Sequence, residues 1–143
     1  MRIALVIVGS SLMLGASVGV AQQPKLPDLT GLWVITEVRV DVDRPEPDFE
    51  GGELMIVRNR MAVGPKLSAE NTRAAIFRFR LGRSDGTVTF DLVVVREGKE
   101  VLMPGICRVV GDHMEICCGE SVRPDTYAGG AGRILIRAKR FRE

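Results

Sequence analysis

Apolar and polar residues alternate with a period of two from Gly31 onward, and no stretch of a dozen residues carries an apolar stripe at helical spacing. Successive side chains of a strand point to opposite faces, so this pattern predicts an all-β chain. The first strand runs from Gly31 to Val40, with Val38 and Val40 on one face and Glu37, Arg39 and Asp41 on the other. Trp33 and Ile35 share the parity of the charged set. The strand therefore either changes face through a bulge near Thr36 or sets Trp33 at a closed end. Leu54 to Val57 and Met61 to Val63 read as a short hairpin turning at Arg58 to Arg60, and Leu67 to Asn71 as a polar link with room for one helical turn. Arg73 to Leu81 turns Ala75, Phe77, Phe79 and Leu81 one way and Arg78 and Arg80 the other. After a turn at Ser84-Asp85-Gly86, the residues Val88, Phe90, Leu92 and Val94 form a second inward row, closed by Glu97-Gly98-Lys99.

Val101 to Val110 is interrupted by Pro104 and Gly105, residues that suit a bulge or an edge rather than a central ladder. Gly111 and Asp112 then read as a two-residue hairpin loop, which fixes the register around it. Val110 falls opposite His113, Val109 opposite Met114, Arg108 opposite Glu115 and Cys107 opposite Ile116. One face gathers Cys107, Val109, Met114, Ile116 and Cys118. The other carries Arg108, His113, Glu115 and Cys117, with Arg108 and Glu115 as an opposite-charge pair. A long loop over Gly119 to Ala131 and a last strand over Gly132 to Arg140 complete eight strands, the number of a small closed barrel. An eight-stranded sandwich shows the same alternation, so periodicity leaves both architectures open.

The 143-residue chain is 45% hydrophobic and 27% charged, which suits one folded domain whose core needs neither metal nor several disulfides. Ahead of the strands, Arg2, the apolar run Ile3 to Val8, the softer run Leu12 to Val20, and the small Gly19 and Ala21 follow the tripartite pattern of a secretory signal peptide. Cleavage is expected between Ala21 and Gln22; if retained, the same run is just long enough to anchor the chain in a bilayer. The expected organisation is a signal peptide over residues 1–21, a linker over 22–28 and one β domain over 29–143. The product is expected to be exported, to a periplasm or beyond the cell, with no membrane span after cleavage. A net charge of +2 argues against nucleic acid as a general partner, since such binding rests on clustered positive charge. Asp41, Asp43, Glu46, Asp48 and Glu50, set around Pro45 and Pro47, read as an exposed acidic loop without complete metal-loop spacing.

Thr30-Gly31-Leu32-Trp33 matches the Gly-x-Trp opening of lipocalin-type barrels, at the start of the first strand. Further on stands Gly105-Ile106-Cys107-Arg108-Val109-Val110-Gly111-Asp112-His113-Met114-Glu115-Ile116-Cys117. It is followed by Arg123-Pro124-Asp125-Thr126-Tyr127 and a strand ending in Lys139-Arg140. Together these segments resemble a family of small exported lipocalin-like domains of unknown function, expanded in planctomycetes. That family's pattern runs G-I-Y-x-L-x-G-D-x-L-x-L-C, then R-P-x-x-F, then a last strand closing in K-R. Cys107 stands in place of its aromatic residue, and Cys118 is a second departure. The resemblance spans Leu29 to Arg140 and implies a small antiparallel eight-stranded lipocalin-like (calycin) barrel over residues 29–143. It also implies that Gly31, Trp33 and a stacked arginine close the barrel structurally, with Arg140 the first candidate and Arg137 the second. It supplies no catalytic residue and no established ligand.

His113 is the one imidazole, and Ser68, Ser84 and Ser121 lie in polar loops without nucleophile-elbow spacing. Neither enzyme activity nor a cofactor is expected. His113, Glu115 and Cys117 alternate on one strand face and are borderline ligands suited to zinc or copper, yet nothing supplies a fourth ligand, so a plain polar face is the expected reading. Cys107 and Cys118, diagonal neighbours on the apolar face, are candidates for a disulfide that leaves Cys117 free. Three reduced thiols acting as small hydrophobes are the alternative. Two classes of function follow. In the first the barrel is a carrier, and Phe77, Phe79, Phe90, Leu92, Val94 and Met114 line a pocket for a small apolar or amphipathic ligand; the rival arrangement packs those residues solid. In the second, a non-enzymatic envelope or extracellular module binds a macromolecule through the loops Asp41 to Gly52 and Gly119 to Ala131, with no protein partner named by the sequence.

Overall fold

The structure, a computed structural model, describes residues 25–40, 44–45, 49–65 and 74–143. The expected signal peptide, the first residues of the linker, the helical turn at Leu67 to Asn71 and most of the acidic stretch between residues 41 and 48 lie outside the described residues. Among the described residues there are ten strands and no α-helix. They are β1 (Gly31–Val40), β2 (Arg44–Pro45), β3 (Glu53–Val57), β4 (Arg60–Gly64), β5 (Ala75–Ser84), β6 (Thr87–Arg96), β7 (Lys99–Met103), β8 (Gly105–Val110), β9 (His113–Gly119) and β10 (Arg133–Arg140).

All pairings are antiparallel, and the ladder runs β10-β9-β8-β6-β5-β4-β3-β1 before β1 pairs again with β10. This closes a lipocalin-like eight-stranded barrel and rules out the sandwich. The stretch expected as one strand from Val101 to Val110 is divided at Pro104. Its first part, β7, pairs with β6 from Leu92 to Arg96, whereas β8 pairs with β9. Proline has no N–H to give to a ladder, and the carbonyl of Pro104 accepts the last bond, from the Gly119 N–H at 2.9 Å. Beyond that point β7 pairs only with β6 among the described residues.

Two ends of unequal construction result. At one end β5 and β6 are joined by Asp85-Gly86, β8 and β9 by Gly111-Asp112, and β3 and β4 by Arg58-Asn59. Asp85 and Gly86 both take positive φ, 48° and 78°, the geometry whose twist matches antiparallel strands. From the other end leave the longer connections, between β1 and β3, between β4 and β5, and, over residues 120–132, between β9 and β10. The β8–β9 register is the expected one, Val110 opposite His113 through Cys107 opposite Ile116.

The bulge on β1 is present as well. Its pairing with β10 shifts between Ile35 and Glu37, which lets Trp33 and Ile35 point inward with Val38 and Val40 despite their mismatched parity. Trp33, Ile35, Leu54, Ile56, Met61, Phe90, Met114 and Ile116 form the centre of the core, each no more than 2% exposed. A smaller cluster sits outside the barrel wall, where Ile106, Cys117 and Leu135 are covered by Tyr127 of the 120–132 connection. Arg123 pins that connection by donating 2.6 Å bonds to Asp91 Oδ1 and to the Gly105 carbonyl.

Candidate functional site

The barrel interior has two storeys. At the hairpin end it is solid. Trp33 is fully buried and its indole Nε1 donates to the Leu29 carbonyl at 2.9 Å. The Arg140 guanidinium lies over the ring, 4.2 Å from its centroid, and donates to the carbonyls of Thr30 at 2.9 Å and Asp28 at 3.2 Å. One arginine thus ties the last strand to the segment leading into the first. Gly31 makes room for it, with a φ of 130° and only 3.2 Å between an added Cβ and Arg140 Nη1. Arg137, the second candidate for the stacked arginine, points outward instead and donates to Glu37 Oε2 at 2.6 Å and Glu115 Oε1 at 3.0 Å. Above Trp33, Phe79 and Phe90 stack with centroids 4.6 Å apart.

Toward the long-connection end the packing opens into a cavity of about 210 Å³. Its floor and walls are Ile35 and Val38 on β1, Met61 and Val63 on β4, Phe77 on β5, Phe90 and Leu92 on β6, Ile116 and Cys118 on β9, and Ile134 and Ile136 on β10. Val40 and Phe49 stand at the rim. Every one of these side chains is apolar. The lining offers burial and shape but no side-chain oxygen or nitrogen, a surface suited to hydrocarbon rather than to a hydrogen-bonding group. Phe49 is 49% exposed, an aromatic ring left half in solvent beside the opening.

Of the six pocket residues expected from the sequence, Phe77, Phe90 and Leu92 line the chamber. Phe79, Val94 and Met114 do not: Phe79 and Met114 are in the solid storey, and Val94 packs against the core from the wall. Alternation assigns a side chain to a face but not to a height, and height is what separates these three from the chamber. Most of the wall went unassigned as a pocket, although Val38, Val40, Ile116 and Cys118 sit on the apolar faces that alternation marks. Phe49, inside the acidic stretch, carries no such signal.

The candidate disulfide is a correction, and the alternative of three thiols stands. Cys107, Cys117 and Cys118 are all free thiols. Cys118 lies opposite Gly105, two places from Cys107 on the same ladder, and diagonal neighbours stand about 7–8 Å apart, beyond the usual reach of a disulfide. Burial pushes the Cys107 and Cys118 thiols up to about 12. Burial also raises Cys117, whose Sγ donates to the Ala128 carbonyl at 3.7 Å. The weak metal candidates fare likewise: His113 is exposed, Cys117 is buried under the 120–132 connection, and Glu115 is held by two arginines. No group of three potential ligands converges among the described residues.

Those arginines form an outer network across four neighbouring strands. Arg108 Nε donates to Glu115 Oε2 at 2.6 Å, Arg137 bridges Glu115 and Glu37, and Arg39 pairs with Glu37. The bond from Arg137 holds the Glu37 carboxyl below the ordinary carboxylate value. For Glu115 burial acts upward, yet the bonds from Arg108 and Arg137 outweigh it and the group is also lowered. Arg108 additionally stacks on Tyr127, 4.2 Å from the ring centroid. No protein-family model, curated protein or solved structure matches the chain.

Proposed function

We propose that the protein is an exported, non-catalytic carrier that holds a small apolar or amphipathic molecule in the upper storey of its barrel. The observation that carries this reading is the chamber of about 210 Å³ with an entirely apolar lining. An apolar chamber of about 150 Å³ takes one benzene, so this volume suits a guest of about eight to ten carbons, a short alkyl chain or a single substituted ring. Burial of such a guest stabilises the folded state by mass action.

Thermal unfolding in the presence of octan-1-ol tests the reading. A free alcohol concentration of about a hundred times its Kd stabilises the fold by about 2.7 kcal/mol and raises the melting temperature by several degrees. Leu92→Trp and Ile136→Trp fill the chamber from opposite walls and abolish that rise. A wild-type protein unmoved by octan-1-ol, or filled variants that respond as the wild type does, refutes the carrier. One observation favours a second reading, recognition of a macromolecule through the long connections. Val122, at 74% exposure, is an apolar residue displayed on the 120–132 connection, and Val122→Asp would weaken such a complex without touching the chamber.

A further inference from the structure

The charge on the outside of the barrel is divided unevenly between its two sides. Around β1, β10, β9 and β8 the arginines are committed, Arg39 and Arg137 to Glu37, and Arg137 and Arg108 to Glu115. Across the ring, on β4 and β5, they are not. Arg60 and Arg78 are direct cross-strand partners, and like charges set opposite each other destabilise a sheet. The bond from the Phe79 N–H to the Asn59 carbonyl, at 2.9 Å, carries this register one step farther and sets Arg58 level with Arg80. All four arginines are exposed. Arg78 pairs with Glu100, while Asp91, opposite Arg80 on β6, accepts instead from Arg123. The side chains of Arg58, Arg60 and Arg80 make no hydrogen bond or ion pair among the described residues.

An apolar row runs beside this block. Met55 pairs with Ala62 and Ala62 with Ile76. The β5–β6 register, continued two places from Arg78 opposite Val93, sets Ile76 level with Val95. The row has the outward parity of Arg60 and Arg78, since the intervening Met61, Phe77 and Phe79 turn into the barrel. Ile76 and Val95 are 69% and 70% exposed, and Met55 and Val57 are exposed with them. Single exposed aliphatics are ordinary, whereas a contiguous set marks a surface that meets something.

We infer that this face, the outer wall from β3 to β6, is a docking surface for a bilayer rich in anionic phospholipid. Guanidinium forks bind phosphate oxygens in pairs, and the aliphatic side chains next to them are placed to reach the acyl boundary just beneath the headgroups. A soluble polyanion satisfies the arginines and leaves the aliphatic row in water. A neutral apolar partner covers the row and strands the arginines. A negatively charged bilayer surface meets both. Docking of this kind uses the outer wall alone and leaves the chamber free to act or not as a carrier.

Sedimentation with sucrose-loaded vesicles of phosphatidylcholine, alone or mixed with phosphatidylglycerol, tests this at physiological ionic strength, where exposed charges more than about 8 Å apart are largely screened. The expected result is partitioning at least about tenfold stronger onto the mixed vesicles, since each arginine near an anionic surface adds about fivefold. Arg60→Gln/Arg80→Gln removes most of that preference. Arg39→Gln/Arg137→Gln, an equal loss of charge from the committed side, keeps it. Ile76→Ser/Val95→Ser also weakens binding to the mixed vesicles. Melting curves establish that each variant is folded, and any pull from the apolar leader is common to all of them. Ile76→Trp, a change at an exposed position, gives a direct reading: its emission shifts to the blue on mixed vesicles, while that of Val110→Trp on β8 does not. No preference for mixed vesicles, equal losses from the two arginine pairs, or an unshifted Ile76→Trp spectrum overturns the inference. Undiminished binding by Ile76→Ser/Val95→Ser, with polyphosphate in solution displacing the wild type from vesicles, overturns it too and marks a site for soluble polyanions.

Discussion

Replacing Arg140 by Met removes the clasp between the two chain ends while keeping an unbranched side chain over Trp33. Three interactions go. The guanidinium 4.2 Å above the indole is worth about 1–2 kcal/mol where water is partly excluded. The bonds to the Thr30 and Asp28 carbonyls, 2.9 and 3.2 Å long, contribute about 1 kcal/mol each in net terms, at the lower end for charged donors because both sites are exposed. Methionine returns part of the ring contact. The expected loss is therefore about 2–3 kcal/mol, equivalent to a fall in melting temperature of about 8–12 °C for a domain of this size. Urea unfolding followed by tryptophan fluorescence reads it locally, because Trp33 is the single tryptophan of the chain. Arg140→Lys falls between, since one ammonium cannot both cover the ring and reach two carbonyls. A double-mutant cycle with Trp33→Phe, read by circular dichroism, isolates the ring term and should give a coupling of about 1 kcal/mol. A loss below about 0.5 kcal/mol for Arg140→Met, or strict additivity in the cycle, would refute the assignment of the clasp.

Two further outcomes follow from the outer network and the thiols. Glu37 and Glu115 are both lowered in the folded state, so their contribution is fully present above the unfolded carboxyl value and is lost as pH falls through the folded one. Melting temperatures taken from about pH 6 down to about pH 3 should therefore fall less steeply for Arg137→Gln than for the wild type, and equal slopes would show that the network does not hold those carboxylates. Ellman's reagent should find three thiols in unreduced, denatured protein, since all three cysteines are free. It should react slowly before denaturation, because a thiol pushed up to about 12 by burial presents almost no thiolate; a count of one would restore a disulfide.

The legible and illegible parts of the molecule divide along a physical line. Strand positions and the β8–β9 register follow from alternation and turn chemistry, both local, and Gly111-Asp112 alone sets every partner from Val110 to Cys107. Pro104 announces a weak point in the ladder, though not that it splits the wall. Closure into a barrel depends on β1 meeting β10, a pairing that no local signal on either strand encodes. The chamber is harder still. Phe79 and Phe77 have the same parity, the same strand and the same side chain, yet one stacks in the solid storey and the other faces open space. Which is which depends on the stagger of neighbouring strands around the ring, to which the β1 bulge contributes.

Closure through the first and last strands also constrains when the chain is able to fold. Glu37 and Arg137, one hundred positions apart, meet across that seam, and the loop that must be organised before they do is nearly the whole domain. Contacts of such long range are gained late and make folding slow. Until β10 is available, β1 and β9 are bare edges and the chamber lacks the wall built by Ile134 and Ile136. A partly synthesised chain is thus held open by its own topology, and the chamber is enclosed only once β10 is in place.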